Sequence, residues 1–291
     1  MPSIWACLAE IAGTFLLVLF GIGSVAAAVL TGAQVGLWQV AVVWGFGVAL
    51  AIYATATVSG AHLNPAVSLA FAIFRRRAFP LSYMLAYWVS QLVGAFLAGL
   101  VILATFSSFI ERFERDNSLV RGEPGSQLSA MVFGEYFPNP AMFGTDSAAQ
   151  ALVSPFGAAL VEGLGTAILV FVIFALSDKR NAALTNKDFA PFMIGFTVAV
   201  LIRVFSPLTQ AGWNPARDFG PRLVAFIAGW GAIAIPGPSA GFWVYIVGPL
   251  AGAPLGAAVY EFLVKPRTQV STSALVEESK VKDMPHTADD D

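Results

Sequence analysis

Two copies of one tripeptide carry most of the chemistry open to this chain. Asn64-Pro65-Ala66 and Asn214-Pro215-Ala216 stand 150 residues apart, and Arg217 and Asp218 follow the second. Both are polar, turn-forming stretches between strongly apolar segments, where an Asn or Arg is costly unless it lines water or meets a partner. A carboxamide and a guanidinium can donate hydrogen bonds, and the guanidinium adds fixed positive charge. Neither is a nucleophile or a base. No nucleophile–base set or metal-ligand cluster occurs elsewhere in the chain, which argues against an enzyme and predicts no cofactor.

Two carboxylates interrupt apolar runs, Glu10 in Ala9-Glu10-Ile11-Ala12-Gly13-Thr14 and Glu162 in Val161-Glu162-Gly163-Leu164-Gly165-Thr166. Each precedes an Asn-Pro-Ala by nearly the same distance, 54 and 52 residues. Intramembrane carboxylates raise a functional hypothesis by default. Their symmetry predicts a supporting one, in which each holds an Asn-Pro loop through backbone hydrogen bonds. A proton-coupled secondary transporter is the rival from another class, since such proteins also use inverted repeats and broken helices.

The elements that must position these residues follow from composition. With 57% hydrophobic and 12% charged residues and a mean hydropathy of +0.73, the chain is too apolar for a soluble domain. Its net charge of −2 offers nothing to nucleic acid, and a single cysteine, Cys7, rules out an intramolecular disulfide. The N-terminus has no basic stretch ahead of its apolar run, so no cleaved signal peptide is expected. Six apolar runs reach the ~20 residues a spanning helix needs: roughly 4–30, 36–57, 82–106, 152–177, 189–205 and 241–264. Two more, 64–74 and 214–228, are too short to cross. Each opens on Asn-Pro, with Asn suited to cap a helix and Pro to its first turn. At 1.5 Å per residue they reach about half the hydrocarbon thickness.

Each half of the chain therefore holds three spanning helices and one half-helix. Three crossings invert the second half relative to the first, and Gly94-Ala95 and Gly252-Ala253 fall in the two closing helices. The predicted fold is an all-α membrane protein of six transmembrane helices plus two re-entrant half-helices. Its channel domain covers 1–265, with repeats at about 4–106 and 152–264 and an outer loop at 107–151 rich in Gly, Pro and charge. Residues 266–291 are polar and predicted to be a disordered cytoplasmic tail. Arg75, Arg76, Arg77, Lys179, Arg180, Lys187, Lys265, Arg267, Lys280 and Lys282 lie on one side, against Arg112, Arg115, Arg121, Arg203, Arg217 and Arg222 on the other. That bias predicts both termini in the cytoplasm.

Facing half-helix N-termini would bring unpaired N–H groups and partial positive charge together at the midplane. The site repels cations, and the Asn64 and Asn214 amides would donate to the oxygens of whatever passes. The arrangement suits a passive pore for neutral, oxygen-bearing small molecules. A third Asn-Pro-Ala, at Asn139-Pro140-Ala141, has no apolar half-helix behind it and reads as an outer-loop turn.

With both motifs in this helical context, the chain resembles the major intrinsic protein (aquaporin) family across about residues 4–264, and within it the glycerol facilitators. That resemblance implies a homotetramer with one pore per protomer in a plasma or inner membrane, passing glycerol, other small uncharged solutes and some water while excluding ions and protons. It also implies a selectivity filter of Trp44, Ile202, Ala211 and Arg217. Asp218, the Phe219-Gly220-Pro221 continuation, the long outer loop and the insertion Ala228-Gly229-Trp230-Gly231 resemble the glycerol branch. Glycerol facilitators usually place Gly and Phe where Ile202 and Ala211 stand, and the set here is closer to plant nodulin-like intrinsic proteins. A pore mainly for water, lactic acid or metalloid hydroxides is thus the alternative.

Several residues admit a plainer reading. Asn64 and Asn214 could merely cap short helices, Arg217 and Trp44 could be interfacial anchors, and Ile202 and Ala211 ordinary packing residues. Asp218 is expected to hold loop backbone or a nearby Arg. His62 either lines the cytoplasmic half of the pore or is a satisfied structural histidine. Arg203 either snorkels to the interface or adds charge to the outer mouth.

Overall fold

The computed structural model describes residues 1–34 and 36–266, so all but the first residue of the expected tail lies outside the described residues. Among the described residues, six helical segments are long and apolar enough to cross a membrane: Ile4–Thr31, Leu37–Ser59, Leu81–Asp116, Pro155–Ser177, Lys187–Thr209 and Pro238–Val264. Their main α-helices are α1 (Ile4–Thr31), α2 (Leu37–Ser59), α4 (Met84–Asp116), α8 (Pro155–Ser177), α9 (Ala190–Thr209) and α11 (Val244–Val259). The short α3 (Pro65–Phe74) and α10 (Pro215–Ala225) are the half-helices. An even number of crossings leaves both described ends on one face, the terminal face, and the 117–154 connection on the other, the loop face.

Local chemistry sets the ends. The Ser3 hydroxyl caps α1 by accepting from Ala6 N–H, and Gly32, at φ 67°, ends it in the left-handed conformation. Asn64 and Asn214 cap α3 and α10 with Pro65 and Pro215 in the first turn. The α10 helix gives way after Ala225 to a wider turn, Phe226–Trp230, broken at Gly229 (φ 104°), so its regular part is shorter than the apolar run to 228 suggests. The larger departure is α4, which continues to Asp116 instead of stopping near 106. Its last turns exchange an all-apolar surface for a two-sided one: Ile110 and Glu114 are buried while Arg112 and Arg115 face out. The Glu114 carboxylate ties that end to the connection, accepting from Arg121 Nη2 (2.8 Å) and Ser129 Oγ (2.8 Å).

The connection is no loose outer loop. Single helical turns α5 (Gln127–Ala130), α6 (Pro140–Phe143) and α7 (Ser147–Gln150) punctuate it, and Met131–Tyr136 is buried without a break. Asn139 caps α6 through Ala141 N–H, and its backbone N–H donates to the Pro207 carbonyl at the end of α9 (3.1 Å). The third Asn-Pro-Ala is therefore a turn that fastens the connection to α9.

Packing repeats between the halves. α1 packs on α4 as α8 packs on α11, α2 meets α9, and each half-helix lies on the other repeat's closing helix, α3 on α11 and α10 on α4. Small residues permit these approaches. A methyl group on Gly94 would overlap the Ile11 carbonyl, and one on Gly252 would overlap that of Gly163. At the α2–α9 crossing, a methyl on Gly45 would sit 2.7 Å from the Gly195 carbonyl oxygen.

Candidate functional site

The loop before each Asn is folded the same way. Gly60, Ala61 and Leu63 have φ of 82°, 49° and 53°, and Gln210, Ala211 and Trp213 have 60°, 73° and 46°. A left-handed non-glycine residue costs on the order of 1 kcal/mol or more and persists only where its surroundings over-determine it. The two carboxylates supply that restraint. Glu10 accepts from His62 N–H (2.9 Å), Leu63 N–H (2.8 Å), the Ser59 hydroxyl (2.7 Å) and the Gln91 amide (2.7 Å). Glu162 accepts from Gly212 N–H (3.0 Å), Trp213 N–H (2.7 Å) and the Thr209 hydroxyl (2.7 Å). Tyr87 and Tyr245 complete the match, donating their hydroxyls to the carbonyls of Ser59 (2.8 Å) and Thr209 (3.2 Å). Sequence reasoning passed over these tyrosines, although both lie in closing helices just ahead of the Gly94 and Gly252 pair.

These clamps bring α3 and α10 together end to end. Asn64 Nδ2 donates to the Trp213 carbonyl (2.9 Å), and Asn214 Nδ2 donates to the Leu63 carbonyl (2.8 Å). Each side-chain oxygen caps its own half-helix, accepting from Ala66 N–H in one case and from Ala216 and Arg217 N–H in the other. Capping and presentation are thus the same act. The capping bonds turn each oxygen inward, and each amide keeps one of its two N–H bonds beyond the one that crosses the junction. Asn64 and Asn214 both line a cavity of about 380 Å³ that opens toward Lys179 and Lys187 on the terminal face.

That cavity is mostly apolar. Leu17, Val48, Leu169, Ile173 and Val198 supply its wall, and Asn64, Asn214 and the loop backbones supply a polar strip. His62 lines it too, while its Nδ1 pairs with Ser68 Oγ (3.2 Å) and its ring packs 4.4 Å from Phe79 and 4.7 Å from Phe71. His62 thus borders the cavity and is also packed and hydrogen-bonded within the fold.

A second cavity, of about 550 Å³, opens on the loop face, and the two share Trp44, Ile202 and Arg217. Ala211 lines the inner one beside them. The four residues that the family resemblance pointed to lie together here, three of them lining both cavities and Ala211 the inner one. The Arg217 guanidinium carbon lies 4.4 Å from the centre of the Trp44 ring, and the ring rests against Gly21, where any side chain would overlap it. Arg217 also forms an ion pair with Glu135, both nearly inaccessible. Its Nη1 has no hydrogen-bond partner among the described residues.

Glu135 was not anticipated. Its signal was a lone acid in the apolar stretch Met131–Tyr136, inside a segment read only as a loop. The connection dips into the loop-face cavity and presents Glu135 there. Asp218 holds it in place, accepting from Glu135 N–H (2.7 Å) and from Arg222 Nε and Nη2 (both 2.8 Å). Arg222, fully buried, also donates to the carbonyls of Ala234 (2.9 Å) and Glu135. Asp218 thus acts on loop backbone and a nearby Arg and is absent from both cavity linings. Gln210 adds a further tie through Tyr136 N–H (2.8 Å). Arg203 joins none of this: it is exposed on the outside of α9.

Known proteins share this architecture. The model of the family "Major intrinsic protein" matches residues 1–260. The glycerol uptake facilitator protein of Pseudomonas aeruginosa is 45% identical over 269 residues, covering 90% of each chain. The propanediol uptake facilitator PduF of Citrobacter freundii is 41% identical over 93% of this chain and 96% of its own. The glycerol uptake facilitator protein of Escherichia coli K12 is 41% identical over 89% of this chain and 87% of its own. Among solved structures, the aquaglyceroporin from Plasmodium falciparum superposes with a TM-score of 0.76 at 25% identity, covering 90% of this chain and 97% of that one.

Proposed function

The chain belongs to the major intrinsic protein family, and from that premise we propose that it is a passive membrane channel for glycerol and related small uncharged solutes such as propanediol, with some water. The carrying observation is the lining: two cavities that share Trp44, Ile202 and Arg217, the inner one bordered by both Asn amides and mostly apolar with a polar strip. A polyol has the complementary character, hydroxyls on one edge and C–H bonds on the other. In this reading Arg217 Nη1 and the free N–H bonds of Asn64 and Asn214 receive successive hydroxyls, while Trp44 and Ile202 bear the carbon side. Pores of this type select by diameter, hydrogen bonding and electrostatic barriers. Facing half-helix N-termini and the Arg217 charge oppose cations, and an oxygen fixed as an acceptor cannot easily relay a proton.

The channel assembles as a homotetramer, with both termini in the cytoplasm and the loop face outside, in a plasma or inner membrane. The basic residues of the terminal face support that orientation. Ile202 and the small Ala211 keep a second reading in play, passage of lactic acid or metalloid hydroxides. Proton coupling through Glu10 or Glu162 finds less support, because both carboxylates are engaged by backbone N–H donors.

Light scattering from liposomes holding the purified protein tests the proposal. Rapid re-swelling after a glycerol jump, without saturation and indifferent to a pH gradient, is the expected result. Fast water flow without glycerol re-swelling would overturn it in favour of a water pore.

A further inference from the structure

The features that oppose cations in this pore invite anions. The N-termini of α3 and α10 meet end to end, each with about half a positive charge, and the Arg217 guanidinium borders both cavities. A guanidinium is a natural receptor for a carboxylate, because its parallel N–H bonds match the two oxygens. A small monocarboxylate such as formate is no larger than glycerol. Size alone leaves it free to enter and lodge on Arg217.

An acid of the chain itself already stands there. Glu135 Oε1 pairs with Arg217 Nη2, and the two side chains are only 2% and 4% exposed. Glu135 is held by its backbone on both sides: its N–H donates to Asp218 Oδ1 (2.7 Å) and its carbonyl accepts from Arg222 Nη2. The neighbouring charges leave the pair to itself. Arg222 is engaged by Asp218 and by the carbonyls of Ala234 and Glu135, and Glu162 by the loop before Asn214. Glu135 Oε2 and Arg217 Nη1 have no hydrogen-bond partner among the described residues, and both residues line the loop-face cavity. An incoming carboxylate therefore meets a guanidinium whose charge is already answered, beside a fixed charge of its own sign.

We propose that Glu135 is a specificity-determining residue of the channel, an internal carboxylate that occupies Arg217 and thereby excludes small monocarboxylate anions. The inference rests on the channel reading and adds to it the class of solute that is refused. Glu135 acts through Arg217 and is a positioning residue: it engages Nη2 and leaves Nη1 for a neutral hydroxyl. Uncharged solutes meet no such repulsion.

The test follows glycerol re-swelling of liposomes holding the full chain and equilibrated on both sides with formate, at a pH where it is fully ionised. Hepes at the same ionic strength, too bulky to enter the pore, is the reference. The ratio of the two rates does not depend on how much of the chain has folded. Wild type is expected to give the same rate in both. E135Q, which leaves Arg217 without its counter-charge, is expected to bind formate about tenfold or more tightly, so that formate slows glycerol or itself passes. E135D, which keeps the charge, is expected to behave as wild type. In detergent, formate should raise the unfolding temperature of E135Q and leave that of the wild type unchanged, a comparison that needs no transport. Wild type as sensitive to formate as E135Q overturns the inference, and so does an E135Q that neither binds formate nor passes it. The expected unfolding temperatures without any glycerol re-swelling would instead overturn the channel reading and keep the role of the pair.

Discussion

The Arg217 guanidinium carbon lies 4.4 Å from the centre of the Trp44 ring while the same side chain is paired with Glu135. One cation is thus held from two sides, by a ring face from α2 and a carboxylate from the loop-face connection. A desolvated cation–π contact contributes about 2 kcal/mol, so removing Trp44 leaves Arg217 held by Glu135 alone. Trp44→Ala is expected to widen the junction of the two cavities. It should admit four- and five-carbon polyols faster than the wild type does, a change read from re-swelling rates in liposomes. Unchanged selectivity would remove Trp44 from the proposed filter.

Glu162→Gln should act on folding. The amide keeps one acceptor oxygen and turns an NH2 toward backbone N–H groups, leaving at least one buried donor of Gly212 or Trp213 unpaired, at about 1–3 kcal/mol. Thermal unfolding in detergent should shift down, with Glu10→Gln behaving alike. Flux per folded chain should stay independent of a proton gradient in both variants. Gradient-driven accumulation in the wild type that either variant abolished would point to a coupled transporter.

Asp218 and Arg222 form a buried pair with 0% and 1% side-chain exposure. Removing one member strands the other charge, at about 3–5 kcal/mol. Asp218→Asn and Arg222→Leu should each lower the unfolding midpoint strongly and free the 117–154 connection, seen as faster proteolysis there. The double variant should lose much less than the sum of the two.

On the terminal face, Asp178 faces Arg180 (3.2 Å) and, farther off, Arg75 (3.9 Å). Burial works to raise its carboxyl, but the Arg180 backbone N–H and guanidinium, with Arg75, outweigh it and hold the group below its ordinary value of 3.8. A depressed carboxylate contributes stability that is present above the unfolded-state value and lost as pH falls through the folded one. Acidification below about pH 4 should therefore loosen the contact between α3 and the end of α8. Asp178→Asn should flatten the pH dependence of unfolding in that range.

Gly252→Val should be among the most damaging single changes in the spans. Its side chain would occupy the place of the Gly163 carbonyl, and overpacking of a tight contact costs about 1–3 kcal/mol or more. Reduced yield of folded protein on size exclusion would register it.

Much of the architecture was legible in the chain because membrane solvent is strict. Apolar runs of spanning length, Asn-Pro at the head of each short run and paired acids at matched offsets leave few arrangements. The same cues led to Glu10 and Glu162 and to the loop backbone that their side chains touch. Residues that act through distant contacts were less visible. Glu135 sits in a segment whose composition says only loop, and nothing local tells that it returns to Arg217 across some eighty residues of chain. The end of α4 was misjudged for a related reason: apolar composition marks where lipid stops, whereas the helix continues for ten residues because Ile110 and Glu114 have the connection to pack on.

The exchange of half-helices between repeats sets a timetable for synthesis. α3 rests on α11, which the ribosome delivers some 170 residues later. At about 5–20 residues per second, α3 must wait roughly ten to thirty seconds for its partner. A nascent chain therefore holds α3 by the Glu10 clamp and by its contact with α4, without its larger partner, until the last span arrives. Completion of the pore coincides with completion of the polypeptide.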